Sequence, residues 1–310
     1  MPLLANFKRI VLVLRQAFIN LKNVENLQMQ NGIILTNQNR GAHFMSLQDY
    51  EFKVFSQFGE DGIIQFLAEQ VDVKNKTVIE FGVEDYSESN TRFLVMKDNW
   101  SVLTIDGSKK MFERLRKSSM YWKHDIQALN SFITCENINA LLEKSGFDSD
   151  LGILSVDIDG NDFWIYKEIK HFKPRIIIVE YNATFGPSAT VSVPYSESFQ
   201  RTAAHYSNLY FGASFAAWTS QLNSDGYVLV GATSAGNNAF FVRQDLMNDN
   251  LDRVAKAAAF QDSKFRESRD ESGRLTHKRN RERLELISHL PVQDVITNVI
   301  SRFDEILVVD

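Results

Sequence analysis

Short apolar runs recur through the middle of the chain, and each ends at a polar or charged residue. The clearest are Thr77–Gly82, Ser101–Asp106, Gly152–Asp157 and Arg175–Tyr181, and we predict a strand at each. Continuous apolar runs are typical of strands buried on both faces of a parallel sheet. Helix-like stretches separate them, at 63–70, 89–97, 109–117, 138–145 and 163–169. Alternating strands and helices with short connections predict a doubly wound, mostly parallel α/β sheet.

The end of this pattern changes character. A predicted helix over Ser214–Asn223 is followed by apolar runs at Tyr227–Val230 and Ala239–Val242, with a polar turn at Ser234–Asn238 between them. Two strands joined by a tight turn form an antiparallel hairpin. We also predict a weak additional strand at Phe132–Thr134.

The chain divides by composition into a helical extension at 1–55, a core at 56–246 and a C-terminal extension at 247–310. We expect the densely charged stretch 264–285 to be a solvated helix or loop, with a patch that grips an anionic acceptor as the alternative. The polar residues at 31–32 and 36–40 predict that the N-terminal helix ends in a loop there.

The N-terminal extension carries an apolar stripe at intervals of three and four, typical of an amphipathic helix. Its members are Leu3, Phe7, Ile10, Leu14, Phe18, Leu21 and Val24. Three interpretations stay open: packing on the core, a homo-oligomer contact, or peripheral membrane contact through a basic face. That face would comprise Lys8, Arg9, Arg15 and Lys22.

Composition excludes several classes of protein. The chain has 310 residues and a formal net charge of −5, which argues against general nucleic-acid binding. Cys135 is the single cysteine, so the sequence offers neither a disulfide framework nor a Cys-based zinc site. No apolar run reaches the ~18 residues needed to span a membrane, and no signal-peptide cleavage site is recognisable. We therefore predict a cytoplasmic protein.

Carboxylates end four of the predicted strands, at Glu80, Asp106, Asp157 and Glu180. Ligands of open α/β sheets bind in the crevice outside the carboxyl ends of the strands. A row of acids there suits a ligand that has hydroxyl groups and positive charge, and it does not suit a bare polyphosphate.

The loop after the first strand contains a single glycine, Gly82, instead of the G-x-G-x-x-G pattern. The missing glycines and the acids at 80, 84 and 85 argue against a pyrophosphate cofactor. A sulfonium cofactor carries positive charge and no phosphate, so it fits better. Asp106 stands 26 residues after Glu80, close to the spacing at which an acid binds ribose hydroxyls.

The densest acidic cluster is Asp157–Asp162. With Glu180 and Asn182 from the next strand end, Asp157 and Asp159 would offer the hard oxygen ligands that Mg²⁺ prefers. Alternatively, Asp157 or Asp159 acts without metal, either as a general base or by holding the amino group of the cofactor, or the segment is a structural turn. An EF-hand is rejected because its distant glutamate is missing.

The histidines are scattered, without metal-ligand spacing. His205 is the best candidate for a catalytic base among them, and a packing role is its alternative.

These motifs resemble FkbM-type S-adenosylmethionine (SAM)-dependent methyltransferases, especially a bacterial branch often encoded with polysaccharide and cell-surface glycan genes. The matching stretches are Ser56–Gly62, Ile79–Glu84, Ser155–Asp162, Val179–Asn182 and Asn238–Arg243. The resemblance implies a Rossmann-like class I methyltransferase fold, SAM as methyl donor and a sugar or glycan hydroxyl as acceptor.

By this resemblance Glu80, Gly82 and Asp106 would hold SAM, and we assign neighbouring motif residues to the same site: Gln57, Glu84, Gly107 and Ser108. The segments 157–162 and 180–182 would face the transferring methyl group. Metal-dependent catechol-type O-methyltransferases carry a catalytic lysine shortly after the first aspartate. Residues 158–163 contain no lysine, which argues against a full catechol-type mechanism.

We therefore predict a SAM-dependent O-methyltransferase, with Mg²⁺ as a candidate second cofactor. Asp157 or Asp159 would remove the acceptor proton, directly or through Mg²⁺. Two alternatives are a non-catalytic scaffold on a methyltransferase fold and an NAD-dependent oxidoreductase.

Overall fold

The computed structural model describes the backbone of residues 2–307 and the side chains of residues 11–13, 15, 16 and 23–306. Within these residues, ten strands form two sheets. In chain order they are β1 (Thr77–Phe81), β2 (Ser101–Asp106), β3 (Ile126–Asn130), β4 (Ile153–Val156), β5 (Ile176–Glu180), β6 (Val191–Ser192), β7 (Tyr227–Ala232), β8 (Asn238–Arg243), β9 (Pro291–Asp294) and β10 (Ile300–Arg302).

The larger sheet has the strand order β3-β2-β1-β4-β5-β8-β7. The first five of these strands are parallel to one another, and β8 runs antiparallel to both β5 and β7. A parallel sheet closed by a terminal antiparallel hairpin is the class I methyltransferase fold. The predicted doubly wound sheet and its hairpin are therefore confirmed.

Helices cover both faces of this sheet. The α-helices are α1 (Pro2–Asn39), α2 (Glu60–Gln70), α3 (Arg92–Asp98), α4 (Lys109–Lys117), α5 (Ser119–Lys123), α6 (Ile138–Glu143), α7 (Asp162–Glu168), α8 (Arg201–Ala204), α9 (Phe215–Ser224), α10 (Asp249–Ala255), α11 (Asn280–Ile287) and α12 (Phe303–Leu307). Short 3-10 turns lie at Leu47–Tyr50, Ala183–Phe185 and Gln244–Leu246.

The strands are buried on both sides because successive side chains point to opposite faces. Val78 packs in one apolar cluster with α2, α3 and α10, while its neighbour Ile79 packs in the other with α6, α7 and α9. Ile153 and Leu154 divide in the same way. This double burial explains the continuous apolar runs of the sequence.

The C-terminal segment crosses the sheet near the ends of β5 and β8. Its backbone oxygen at Gln261 accepts a hydrogen bond from the Tyr181 hydroxyl at 2.7 Å, and Lys264 N donates to Ala235 O at 2.9 Å. Further along, β9 pairs with β6 and β10 in the smaller sheet. This pairing joins residues 291–302 to β6, the strand that follows β5 in the chain.

Two local predictions are wrong. Helix α1 does not end near residues 31–32 but continues to Asn39. A Cβ at Gly32 would lie 2.6 Å from Val54 Cγ2, so the glycine there allows close packing inside the helix. The extra strand is β3 (Ile126–Asn130), and Phe132 lies in the loop after it. This edge strand is only partly buried, so its apolar pattern is weak.

Most of the amphipathic stripe in α1 falls outside the residues whose side chains are described. The exception is Val24, whose side chain is exposed. The oligomer and membrane interpretations of α1, and the division of the chain into three domains, stay predictions. Across residues 2–307, none of the helices combines the length and apolarity required to cross a membrane.

Candidate functional site

Two adjoining cavities open at the carboxyl edge of the sheet. The first has a volume of about 350 Å³ and lies beside the ends of β1, β2 and β4. The second has a volume of about 310 Å³ and extends toward β5 and β8. Both contain Gly82, Glu84, Asp157 and Asp159 in their walls. Each volume is adequate for a small-molecule ligand.

The junction of the cavities depends on Gly82. Its φ of +69° lies in the left-handed region, and a Cβ built on it would stand 1.7 Å from the carbonyl oxygen of Asp157. Its N–H donates to Ile105 O at 3.0 Å. Only glycine therefore lets the loop after β1 pass this close to the end of β4.

Glu80 holds the loop that follows β1. Its carboxylate accepts hydrogen bonds from Ser89 Oγ at 2.8 Å and Asn90 N at 2.9 Å, and also from both the backbone N–H and the hydroxyl of Thr91. The group lines the second cavity, but its oxygens are engaged by these donors. Burial raises the pKa of Glu80, and the hydrogen bonds oppose that rise.

Asp106 organises the first cavity. One carboxylate oxygen accepts from Glu84 N at 2.8 Å, and the other accepts from Ser108 N at 2.6 Å. Each oxygen keeps a second lone pair available for a ligand. Gly107 and Ser108 also line this cavity, and its apolar wall includes Met111, Phe132 and Ile133.

The sequence-predicted acids Asp157, Asp159 and Glu180 converge at the second cavity. One carboxylate oxygen from each lies within 4.8 Å of the others. The pKa of Asp157 is raised well above its usual range, first by burial and then by the charges of Asp159 and Asp162. Burial and the charge of Asp157 raise the pKa of Glu180 in the same way. The carboxyls of Asp157 and Glu180 therefore bind a proton more readily than an exposed carboxyl does.

Arg201 is the cation of the site, and no sequence motif identifies it in advance. Its guanidinium pairs with Asp159, lies 3.8 Å from the centroid of the Phe211 ring, and approaches Glu267 at 3.7 Å. Its Nε donates to Asn208 O at 2.8 Å. Asp159, with φ of +58°, is thus held at the rim by a charge from α8.

The two asparagines near the end of β5 have different roles. Asn182, a predicted metal ligand, donates to Leu209 O at 2.8 Å and Phe211 O at 3.0 Å, and it accepts from Thr184 N. The structure commits this amide to the loop, so its metal role stays a prediction that these bonds do not favour. Asn238 lines the second cavity instead. It begins Asn238–Arg243, one of the stretches that carry the family resemblance, and that membership was the one sequence feature that pointed to it.

The motif Ser56–Gly62 lies beside the second cavity and contributes Gln57 to its wall. Asp61 Oδ2 accepts from the backbone N–H groups of residues 54–56 at 2.7–2.8 Å. Glu60 Oε1 accepts from Asn238 Nδ2 at 3.0 Å, which links α2 to β8. Gln57, a predicted cofactor residue, lines the cavity.

His205 lies outside the walls of both cavities. Its Nδ1 shares a hydrogen bond with Ser207 Oγ at 2.7 Å, and its ring lies 6.0 Å from that of His289. Burial lowers the pKa of His205, and the charge of His289 adds to that effect. Its predicted catalytic role stays untested, and the geometry brings it to neither cavity.

No protein-family model matches this sequence, and no curated protein matches it. Among solved structures, the chain is similar to the N-terminal domain of EvdMO1 with SAH bound: 10% identity, 61% of this chain, 80% of that chain and a TM-score of 0.38. It is also similar to DszA carbon methyltransferase, with 11% identity over 60% of this chain and 52% of that chain and a TM-score of 0.37. A third similar structure is TehB from Haemophilus influenzae, with 10% identity over 59% of this chain and 62% of that chain and a TM-score of 0.35. These values are low, and the strand order itself identifies the fold.

Proposed function

We propose that the protein is a SAM-dependent O-methyltransferase that acts on a hydroxyl group of a sugar or glycan intermediate. The observation that carries the proposal is the Asp157–Glu180 pair beside the junction of the two cavities. One cavity would hold the methyl donor, and the other would hold the acceptor. The pair would then stand beside the transferring methyl group.

The first cavity supports SAM as the donor. Asp106 ends β2 and keeps acceptor lone pairs, which suits the two hydroxyls of a ribose. Apolar side chains such as Phe132 and Ile133 suit the faces of an adenine ring. Gly82 permits a close approach of the ligand to the β1 loop. The neighbouring carboxylates would attract the positive sulfonium.

The proposed reaction is an in-line displacement. The acceptor oxygen attacks the methyl carbon, the carbon–sulfur bond breaks, and sulfur keeps the electron pair to give S-adenosylhomocysteine. The hydroxyl proton passes to Asp157 or Glu180. Burial and neighbouring negative charge raise the pKa values of both carboxyls, which makes each a stronger proton acceptor than an exposed carboxylate. Asp159 and Arg201 position the pair from the rim.

The second cavity supports a hydroxylated acceptor without phosphate at the reacting end. Seven carboxylates line it, from Glu80, Glu84, Glu88, Asp157, Asp159, Glu180 and Glu267, against the single guanidinium of Arg201. Such a field repels phosphate and favours hydroxyl donors. The preference for a glycan acceptor comes from the sequence resemblance.

The two rival functions make different predictions for binding. An oxidoreductase would need a pyrophosphate site, and the exposed Glu84 beside a lone Gly82 opposes one. A non-catalytic scaffold would bind SAM without turning over any glycan pool. Calorimetric titration with SAM, and separately with NAD, distinguishes these alternatives. Binding of NAD without SAM would overturn the proposal.

Proton removal is tested with the double variant Asp157→Asn, Glu180→Gln, which keeps the shapes of both side chains. We expect methyl transfer from SAM to a pool of glycan intermediates to fall by roughly 10²–10⁴-fold, the usual contribution of a general base. SAM affinity should change little. Asp148→Asn, the same chemical change at an exposed position, is the control. Wild-type turnover by the double variant would exclude the pair as the base.

A further inference from the structure

The second cavity has more carboxylates in its wall than there are cations paired with them, even though Lys53 and Arg269 pair with Glu88 and Glu267 from outside the wall. Arg201 is the single cation among its lining residues, and it is already paired with Asp159 and approached by Glu267. Buried carboxylates ordinarily bind a proton, a cationic side chain or a metal ion. A ligand of positive charge is therefore expected here.

Two oxygen atoms in the same cavity have no hydrogen-bond partner. They are Oε2 of Glu180 and Oδ1 of Asn238, and both are fully enclosed. The two residues face each other across the β5–β8 pairing. Asn238 is only 2% exposed as a residue, and its Oδ1 is itself buried, so water outside the protein does not satisfy that oxygen. An unpaired buried acceptor destabilises the folded protein, and a bound cation would give both oxygens a partner.

The orientation of the Asn238 amide is fixed by its neighbour. Its Nδ2 donates to Glu60 Oε1 at 3.0 Å, and a carboxylate oxygen cannot donate in return. The amide oxygen must therefore be the atom left without a partner. It is a neutral, hard oxygen ligand beside the carboxylates of Asp157 and Glu180.

We infer that Asp157, Asp159, Glu180 and Asn238 bind one divalent cation of the Mg²⁺ or Mn²⁺ class. The three carboxylate oxygens lie within 4.8 Å of one another. Opposite ligands of Mg²⁺ stand about 4.0–4.2 Å apart, twice the metal–oxygen bond length, so the three oxygens would have to draw slightly closer together around an ion. Asn238 is thus the proposed amide ligand, in place of Asn182, which was predicted from the sequence. The remaining positions are open to water and to an acceptor hydroxyl.

The inference deepens the proposed function, because a hydroxyl bound to the cation would lose its proton more readily. Cation binding is nevertheless measurable without donor or acceptor. Its failure would leave SAM binding and the base role of the Asp157–Glu180 pair standing. Failure of SAM binding would leave the cation site standing.

The test is a Mn²⁺ titration followed by electron paramagnetic resonance, with Mg²⁺ added as a competitor. We expect one site in the wild-type protein. Glu180→Gln and Asn238→Ala should each weaken Mn²⁺ binding by roughly tenfold or more. Loss of a residue that only orients a metal ligand already costs about tenfold in affinity, and loss of a ligand should cost at least as much. Thermal melts verify that each variant is folded.

Asn237→Ala is the matched control. Asn237 Nδ2 also donates to Glu60 Oε1 at 3.0 Å, but its own oxygen accepts from Thr233 Oγ1. Each asparagine variant therefore loses one hydrogen bond to Glu60 Oε1, and only Asn238→Ala loses a proposed cation ligand. Equal weakening by the two variants would overturn the inference, as would the absence of Mn²⁺ binding at millimolar concentration.

Discussion

Replacement of Gly82 by alanine tests the geometry on which both proposals depend. The alanine Cβ would lie 1.7 Å from Asp157 O, whereas ordinary C–H···O contacts begin at about 3.3 Å. The end of β4 or the loop after β1 must therefore move by roughly 1.6 Å. The backbone at φ +69° adds a second cost for any residue with a side chain.

The magnitude has two parts. A left-handed backbone costs a non-glycine residue about 1–2 kcal/mol. Forced overpacking in a closely packed region costs about 1–3 kcal/mol more. Gly82→Ala should therefore lower the free energy of unfolding by about 2–5 kcal/mol. Since domains are typically stable by about 5–15 kcal/mol, the variant should remain folded at room temperature.

Gly146→Ala separates the two parts. Gly146 has φ of +66°, and no heavy atom lies within 4 Å of the position its Cβ would take. This variant should lose only the backbone part, about 1–2 kcal/mol. Urea denaturation of both variants gives the difference. Mn²⁺ binding should also weaken in Gly82→Ala alone, because Asp157 is displaced. Equal losses of stability in the two variants would refute the close contact between the loop and β4.

Two further predictions concern buried carboxyls. Glu80→Gln should cost about 1.5–3 kcal/mol at pH 7, because its amide would face donors that now bind a charged group. Burial raises the pKa of Glu80 on folding, so protonation stabilises the wild-type protein as pH falls, and the cost of the substitution should grow in acid. A penalty independent of pH would contradict this. The pKa values of Asp157 and Glu180 are raised on folding. With metal chelated, the free energy of unfolding should therefore fall as pH rises. The fall begins at about pH 4, where carboxyls of the unfolded chain ionise, and continues through the raised pKa values of the folded protein. Urea midpoints across that range should fall less steeply in the Asp157→Asn, Glu180→Gln variant, and parallel curves for the two proteins would contradict the shifts.

The sequence was sufficient to predict a mostly parallel sheet with a terminal hairpin, and the edge of that sheet at which the acids gather. Apolar runs that end at Glu80, Asp106, Asp157 and Glu180 reflect strands buried on both faces, and parallel strands present their carboxyl ends together. These are local patterns, and local patterns can be read along the chain. The hairpin at β7 and β8 was predicted for the same reason.

The limits of α1 and β3 were not determined in this way. Gly32 reads as a helix breaker, but its place against Val54 makes a small residue favourable inside the helix. Strand β3 is at the edge of the sheet, so burial imposes little apolar pattern on it. In both cases a contact with a distant residue, or the lack of one, outweighed local propensity.

Only the tertiary structure decided which side chains complete the site. Arg201 reaches Asp159 from a helix 42 residues away, and Asn238 reaches Glu180 because β8 pairs with β5 in one particular register. Asn182, next but one to Glu180, is instead bonded to distant carbonyls. The sequence specifies which residues can bind a cation or a proton, because that is a property of each side chain. The register and the packing select among them, because those depend on the whole fold.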